Sequence, residues 1–161
     1  MKKVAILVFA IGLLAAGTVS AAQTENGPEQ IHIINGPMPA VKASDANFTG
    51  DVSVARLFPP QDKLNMSGGY VTFTPGARTN WHSHPNGQML IVTQGKGRVQ
   101  QWGGRVLEIK EGDVVWFPAG VKHWHGATPD QGMTHISIAD IVEGKSSDWM
   151  EKVTDEQYNG K

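Results

Sequence analysis

The sequence predicts an all-β fold, either an antiparallel sandwich or a barrel. From Tyr70 onward, short runs alternate apolar and polar residues, which is the period-two pattern of strands with one buried face. Clusters of glycine, proline and asparagine interrupt these runs at intervals of roughly ten residues. A chain of 161 residues with this spacing is typical of one domain built from many short strands.

Turn residues set the limits of the predicted strands. Pro59-Pro60 ends the first strand, and Pro85-Asn86-Gly87 ends the third. Gly95-Lys96-Gly97 separates the fourth strand from the fifth, and Gly103-Gly104 is a two-residue hairpin signal. The predicted strands are 52–58, 70–74, 79–84, 88–94, 98–102, 106–110, 114–118, 121–125 and 133–142.

The C-terminal tail carries two patterns that begin helices. Asp148 and Glu151 have the spacing of an N-cap and its partner three residues later, and Thr154 and Gln157 repeat that spacing. We therefore expect one or two short helical turns after the last strand, with Trp149 packed back against the barrel.

The N-terminus has the pattern of an export signal. Lys2 and Lys3 precede an apolar run of 13 residues, and small residues follow up to Ala22. The run is shorter than the roughly 20 residues that span a bilayer. We expect residues 1–22 to be a signal peptide, so that the protein is exported, periplasmic or secreted, and has no membrane association after cleavage.

Two further segments complete the predicted organisation. Residues 23–47 are polar and form an N-terminal arm, in which only 31–33 alternates like a short strand. His32 lies there, far in sequence from the other histidines, and we interpret it as a surface side chain. Residues 48–161 form the β domain with its helical tail.

The composition excludes several classes of protein. Cysteine is absent, so an exported chain has no disulfides and depends on its core for stability. The formal charge is −1, and about −3 once Lys2 and Lys3 are removed. No basic cluster is present, and we therefore expect no nucleic-acid partner.

Five of the six histidines fall in three predicted strands, namely His82, His84, His123, His125 and His135. The first two are two residues apart, as are the next two, and residues at i and i+2 of a strand point to the same face. Metal sites are the commonest reason to cluster neutral imidazoles. Gln88 adds an amide oxygen near the first pair, and this set of ligands suits a borderline divalent metal.

The residues around these histidines resemble the two motifs of the cupin superfamily. Gly76-x5-His82-x-His84-x3-Gln88-x6-Gly95 is similar to the first motif, and Gly112-x5-Pro118-x-Gly120-x2-His123 is similar to the second. The usual first motif has Glu where this chain has Gln88, and the usual second motif ends in Asn where this chain has Ala127. The resemblance implies a single-domain cupin, an antiparallel jelly-roll β-barrel, with an N-terminal arm and a short C-terminal helical tail.

Residues 48–158 resemble more closely the small bacterial cupins that act as manganese-dependent hydroxynitrile lyases of the (R)-mandelonitrile lyase type. The likeness is strongest in G-A-R-T-N-W-H-S-H, D-V-V-W-F, K-H-W-H-G-A and D-W-M-E-K-V-T-D-E-Q-Y. Those lyases also carry Gln at the position of Gln88. The resemblance implies one divalent metal ion, Mn first and Fe, Ni, Co or Zn as alternatives, with the ligands His82, His84, Gln88 and His123.

The resemblance also implies an activity, the cleavage or formation of cyanohydrins from an aldehyde and cyanide. A neutral amide in place of a carboxylate leaves the metal its full formal charge, which favours Lewis-acid chemistry over oxygen activation. His125 and His135 would lie beside the metal without binding it. Either could take the substrate hydroxyl proton as general base, or could orient a metal ligand by a hydrogen bond, and the sequence leaves both roles open.

Val71 and Phe73 are the candidates for substrate binding. They point to the same, apolar face of strand 70–74. If that face is directed into the barrel, their side chains would line a pocket for a small aromatic or aliphatic hydroxy or carbonyl compound. Ordinary barrel core is the alternative interpretation for Phe73. We interpret Trp81, Trp116 and Trp124 as packing residues, with a dimer interface as one possible location, and expect a homo-dimer or homo-tetramer.

Two other functions fit the same residues. One is a cupin dioxygenase that uses iron on three histidines, and oxygen consumption would favour it. The other is a non-catalytic periplasmic module that binds a metal or a small ligand, and tight binding without turnover would favour that. The fold alone does not separate these functions from a lyase.

Overall fold

The computed structural model describes residue 31 and residues 33–59 and 64–161, and in this part of the chain the fold is nearly all β. The strands are β1 Val41–Lys42, β2 Phe48–Thr49, β3 Val52–Arg56, β4 Met66–Phe73, β5 Arg78–Thr79, β6 His82–Ser83, β7 Gln88–Gln101, β8 Leu107–Lys110, β9 Val114–Phe117, β10 His123–Ala127, β11 Met133–Asp140 and β12 Asp148–Trp149. One short helix, α1, spans Asp155–Tyr158. The prediction of an all-β fold with a short helical tail is confirmed.

The strands form one continuous sheet that curls on itself, with the order β1-β3-β4-β11-β7-β10-β5-β2. We call sheet A the half built from β1, β3, β4, β11, the start of β7 and β9. Sheet B contains the end of β7 with β10, β5, β2, β8, β6 and β12. All of the strand pairs are antiparallel, as the alternating sequence predicts.

Strand β7 joins the two halves of the sheet. Residues 88–95 pair with β11 in sheet A, and residues 97–101 pair with β10 in sheet B. The sequence-based prediction of two strands, 88–94 and 98–102, is therefore wrong, because Gly95-Lys96-Gly97 bends one strand from sheet A into sheet B instead of ending it. Strands that change sheets at such bends are a common means of closing a barrel.

Gly97 is required at this crossing by close packing. A Cβ atom at this position would lie 2.2 Å from Met133 Sδ and 2.6 Å from the carbonyl oxygen of Gly126. Only a residue without a side chain lets β7, β10 and β11 approach one another this closely. Gly97 resembles a turn residue in the sequence, but the structure requires glycine there because the neighbouring strands pack too closely for a side chain.

Two other local predictions also need correction. The predicted strand 79–84 is two short strands, β5 and β6, because Asn80 and Trp81 leave the ladder and bond to the arm and to the tail. The helical turn predicted at Asp148 is instead strand β12, which pairs with β6. The second capping pattern is confirmed, since Thr154 caps α1 and Gln157 completes the capping box.

The main hydrophobic core lies between the two halves of the curled sheet. Its buried members are Val52, Val71, Phe73, Ala77, Leu90, Val92, Val99, Ile109, Phe117, Ala127 and Met133. They come from alternate positions of the strands, so the intervening side chains face outward. This core includes Val71 and Phe73, the two residues that the sequence offered as a pocket wall.

A second cluster joins sheet B to the C-terminal tail. Trp81, Trp124, Val153 and Tyr158 are buried together, and the Tyr158 hydroxyl donates a hydrogen bond to the Ala127 carbonyl at 2.7 Å. The tail is therefore packed against the barrel, and Trp81 and Trp124 are confirmed as packing residues.

Some predictions lie outside the described residues, namely the signal peptide at 1–22 and the surface position of His32. Residues 31 and 33 are described and are not part of a strand. Among the residues that the structure describes, no helix is long and apolar enough to cross a membrane.

Candidate functional site

Three buried histidines are held in one orientation by the backbone. The Nδ1 atom of His82 lies 3.0 Å from the Asn80 carbonyl oxygen, and that of His123 lies 2.9 Å from the Val121 carbonyl oxygen. The Nδ1 atom of His84 contacts the Ser146 carbonyl oxygen. A carbonyl only accepts a hydrogen bond, so we infer that each Nδ1 carries the proton and that each Nε2 presents a lone pair. This orientation is typical of metal-binding histidines.

The strand pairing brings two of these histidines together. His82 in β6 lies opposite His123 in β10, and their ring centroids are 4.3 Å apart. His84 follows β6 directly and remains buried, with its ring centroid 5.2 Å from that of His82. The Nε2 atom of His84 is buried without a hydrogen-bond partner among the described residues.

Gln88, the first residue of β7, directs its amide oxygen at the same point. Its Nε2 donates to the Ser137 hydroxyl at 2.9 Å, which leaves its Oε1 free, 3.1 Å from His123 Nε2. Two lone-pair donors facing each other in a buried site repel unless a cation lies near both of them. The four side chains therefore fit a divalent metal ion in their orientation and in their donor chemistry.

His125 also belongs to the cluster. It is two residues from His123 in β10, and one nitrogen from each of His82, His123 and His125 lies within 4.8 Å of the other two. No backbone carbonyl holds its ring, and both of its ring nitrogens are buried without a partner in the described part of the chain. The structure thus presents three histidines with fixed Nδ1 protons, and a fourth whose ring nitrogens are free.

His135 lies next to His125 and is equally buried. Their ring centroids are 4.9 Å apart at an interplanar angle of 80°. Neither ring nitrogen of His135 has a partner among the described residues, and the side chain is completely buried. The bulge in β11 between Thr134 and His135 shifts the register of β11 at this point.

All five histidines of the site are neutral near pH 7. Burial lowers the pKa of His123 and of His135 to about 4, and lowers the pKa of His82 and of His125 well below 6.5. Burial also lowers the pKa of His84 below its usual value of 6.5. The physical cause is desolvation, which disfavours the charged imidazolium. Neutral imidazoles are the form that binds a metal or accepts a proton.

Aromatic rings form the wall beside these histidines. The Phe73 ring lies 5.6 Å from His135 and 5.8 Å from His125, between ring centroids. The Phe117 ring stacks on His123 at 3.7 Å with an interplanar angle of 10°. Val71 pairs with His135 in the ladder between β4 and β11 and faces the core. Phe73 therefore contacts two site histidines, whereas Val71 is mainly a core residue.

Four residues near the site were missed by sequence reasoning. Phe117 could have been found, because it follows Trp116 in the alternation of β9 and therefore faces inward with Val115. Ser137 shares its strand with His135, but nothing in the sequence links it to Gln88. Ser146 acts through its backbone carbonyl, for which no side-chain signal exists. Trp149, whose ring centroid is 4.7 Å from that of His82, was expected to pack on the barrel but not on a site residue.

The fold and the site together define a curled β-barrel with a buried, histidine-rich centre of the kind that binds one metal ion. Comparison with known proteins agrees: the family model described as a cupin domain matches residues 69–139. A protein of Granulicella tundricola named (R)-mandelonitrile lyase is 58% identical over 111 residues, which is 69% of this chain and 85% of that protein. The chain belongs to the cupin family.

Solved structures support the same assignment. The crystal structure of a cupin-like protein from Thermotoga maritima is 43% identical, with a TM-score of 0.71, and covers 80% of this chain and 96% of that one. A second structure from the same organism, described as a predicted oxalate decarboxylase, is 17% identical with a TM-score of 0.59 and covers 69% of this chain and all of the other. At that identity the likeness concerns the fold alone.

Proposed function

We propose that this protein is a metal-dependent carbon–carbon lyase of the hydroxynitrile type, which cleaves cyanohydrins to an aldehyde and cyanide or forms them. One observation carries the proposal: His125 and His135, whose buried ring nitrogens have no partner among the described residues, both lie beside the Phe73 ring. His125 also lies beside the candidate ligands His82 and His123, with ring centroids 5.2 Å and 6.0 Å away. A base, an electrophilic site and an apolar wall are thereby adjacent. The name of the 58% identical relative supports the same reaction class.

We assign metal binding to His82, His84, Gln88 and His123, and propose manganese as the metal, with iron, nickel, cobalt and zinc compatible with the same ligands. The three proposed histidine ligands are oriented for binding through Nε2 by the contacts of their Nδ1 atoms with backbone carbonyls. The Gln88 amide is oriented by its hydrogen bond to Ser137. A bound divalent ion supplies positive charge that polarises a substrate oxygen. Because all four proposed ligands are neutral, none of them offsets that charge.

The proton transfers are assigned to His125 and His135. In the cleavage direction, an unprotonated ring nitrogen takes the proton of the substrate hydroxyl as the C–O bond becomes a carbonyl. The carbon–carbon bond breaks, its electron pair leaves with cyanide, and the imidazolium then returns the proton to give hydrogen cyanide. The low pKa of both histidines keeps the base form available at neutral pH.

The substrate class follows from the wall of the site. Phe73 and Phe117 offer ring surfaces next to the histidines, and Val71 extends the apolar lining. Apolar walls with a few convergent polar groups are typical of sites for small molecules. We propose a small aromatic or aliphatic cyanohydrin, with mandelonitrile as the first compound to test.

The test is the release of benzaldehyde from mandelonitrile by protein loaded with manganese, and by the same protein after treatment with a chelator. We expect turnover only with metal, and a loss of about 10²–10⁴-fold when the base is replaced by alanine, without loss of bound metal. His125→Ala and His135→Ala are therefore compared at matched metal content, and the variant that keeps full turnover identifies a residue that is not the base.

The alternative functions give different results in the same assay. Absence of benzaldehyde with manganese, iron, cobalt, nickel and zinc contradicts the lyase. Oxygen consumption by the iron-loaded protein would instead support a dioxygenase. Tight ligand binding without turnover would indicate a non-catalytic module.

A further inference from the structure

Trp149 is partly exposed although it shares a face of the sheet with a buried site residue. It is the cross-strand partner of His82 in the pairing of β12 with β6, and cross-strand partners point to the same face. The two ring centroids are 4.7 Å apart, at an interplanar angle of 32°. His82 is 1% exposed, whereas Trp149 is 39% exposed. The Trp149 side chain therefore reaches from the site histidines to the surface and marks a mouth of the barrel.

Phe48 continues this aromatic surface toward the interior. Its ring centroid is 5.4 Å from that of Trp149 and 6.2 Å from that of Phe73, and its side chain is partly buried against the main core. Phe73 is fully buried and contacts both His125 and His135. The rings of Trp149, Phe48 and Phe73 thus form a continuous row from the solvent to the two histidines assigned to proton transfer. We call these three residues the aromatic row.

The two outer members of the aromatic row lie on short edge strands. Among the strands that the structure describes, β2 pairs only with β5 and β12 pairs only with β6, and each is two residues long. Strands held by so few backbone hydrogen bonds open locally at a lower cost than the interior of a sheet. The site can therefore be reached beside Phe48 and Trp149 without separating β7, β10 and β11, which carry Gln88, His123 and His135.

We propose that Trp149 and Phe48 line the entrance of the site and determine its preference for aromatic over aliphatic substrates. This inference rests on the proposed function, because it concerns the substrates of the same histidine site. The mouth of a β-barrel is a common location for a small-molecule site. A substrate ring can pack on Trp149 and Phe48 in the offset or edge-to-face geometry that aromatic pairs prefer, whereas a methyl group has no ring to pack in this way.

The test compares two cyanohydrins that differ only in a phenyl and a methyl group, mandelonitrile and lactonitrile, with manganese-loaded protein. We expect Trp149→Leu and Phe48→Leu each to lower kcat/KM for mandelonitrile about 3–10-fold, and to leave kcat/KM for lactonitrile within about 2-fold of the wild type. Leucine keeps an apolar side chain at each position and removes only the ring. Trp149→Phe keeps a ring and should retain most of the preference.

Trp116→Leu is the matched control. Trp116 is 56% exposed and lies between Val115 and Phe117, which both pack on the core, so its own side chain faces outward from β9. We expect this variant to keep the preference of the wild type. Circular dichroism and measurement of bound manganese establish that every variant is folded and loaded with metal.

Two kinetic outcomes overturn the proposal. An equal loss for both cyanohydrins in Trp149→Leu would mean that the ring only supports the site by packing on His82. Unchanged values for both cyanohydrins would mean that substrates enter elsewhere. A loss confined to mandelonitrile supports the entrance, because a purely structural role has no reason to distinguish phenyl from methyl.

A binding measurement separates failure of this proposal from failure of the proposed function. If the wild type cleaves neither cyanohydrin, the lyase is contradicted, and the entrance is judged by saturation-transfer NMR of benzyl alcohol with the zinc-loaded protein. A signal that is lost in Trp149→Leu and kept in Trp116→Leu supports the entrance. A signal that is absent from the wild type, or unchanged in Trp149→Leu, overturns it.

Discussion

At the scale of single residues, the orientation of the Gln88 amide determines whether this side chain can bind a metal. An amide presents either its oxygen or its NH2 group, and only the oxygen is a ligand. The Ser137 hydroxyl accepts from Gln88 Nε2 at 2.9 Å and so turns Oε1 toward His123. Ser137 is thus a positioning residue for Gln88, the proposed amide ligand of the metal.

We predict that Ser137→Ala weakens metal binding by about 10–100-fold, because the amide loses the contact that fixes its orientation. Calorimetric titration of the metal-free protein with Mn²⁺ measures this change directly. Thr134→Ala on the same strand is the control, since its hydroxyl bonds to Thr72 and not to the site. Equal affinity in Ser137→Ala and wild type would contradict the positioning role, and Ser137→Thr should retain most of the affinity.

His135 makes the stability of the metal-free protein depend on pH. Its pKa is lowered by burial from 6.5 to about 4, so below pH 6.5 the unfolded chain binds a proton that the folded chain does not. The stabilisation that the neutral ring contributes is present above pH 6.5 and is lost as pH falls from 6.5 toward 4. The loss amounts to about 2–3 kcal/mol for this one group.

Urea denaturation of the metal-free protein at pH 7 and pH 4.5 tests this dependence. We expect the free energy of unfolding of the wild type to fall more steeply than that of His135→Gln, which has no proton to gain. The comparison concerns the difference between the two pH values, so a general destabilisation of the variant does not affect it. Parallel pH profiles would show that His135 titrates normally in the folded protein.

At the scale of secondary-structure elements, the course of β7 determines the closure of the barrel. We predict that Gly97→Ala destabilises the protein by about 1–3 kcal/mol, because the new methyl group would overlap Met133 and the backbone of Gly126. Gly104→Ala is the matched control, since it lies in the loop after β7, where the nearest atom to a new Cβ is 3.1 Å away. Chemical denaturation of both variants measures the difference, and equal stability would mean that β10 and β11 can move apart at this crossing.

The sequence predicts the positions of the strands better than it predicts where one strand ends and the next begins. Alternation of apolar and polar residues depends only on which face of a strand is buried, and it located the strand regions after Tyr70 and the facing of the histidine pairs. The continuity of β7 depends on contacts of Gly97 with strands about 30 residues further along the chain, and no local pattern reveals those contacts. The same is true of β12, because pairing with β6 overrides the local helix signal at Asp148.

The candidate site shows the same division between local and long-range information. The paired histidines and Gln88 are visible as short motifs, so the ligand candidates follow from spacing and from family resemblance. The contacts of Ser137 with Gln88 and of Ser146 with His84 join positions 49 and 62 residues apart. These supporting contacts are set by the tertiary fold and have no motif of their own.

At the scale of the whole molecule, the candidate metal site ties together segments that are distant in the chain. His82 and His84 come from β6 and its end, Gln88 comes from the start of β7, and His123 comes from β10. The Ser146 carbonyl adds the connection between β11 and β12 through His84. A metal that binds only the folded arrangement of these segments stabilises the entire fold.

We predict that Mn²⁺ at about 100 times its dissociation constant adds about 2.7 kcal/mol of stability, which corresponds to a rise of roughly 5–10 °C in the melting temperature. His84→Ala should remove this increment, because His84 Nε2 is one of the proposed ligand atoms. His125→Ala should keep it, because the His125 ring lacks the carbonyl contact that fixes the other rings. Thermal melting of each variant with Mn²⁺ and with a chelator measures the increment independently of the variant's own stability.

The reverse result, with the increment retained in His84→Ala and lost in His125→Ala, would assign the metal to His82, His123 and His125, whose nitrogens lie within 4.8 Å of one another. His125 could then no longer be the free base, and the proton transfer would be left to His135.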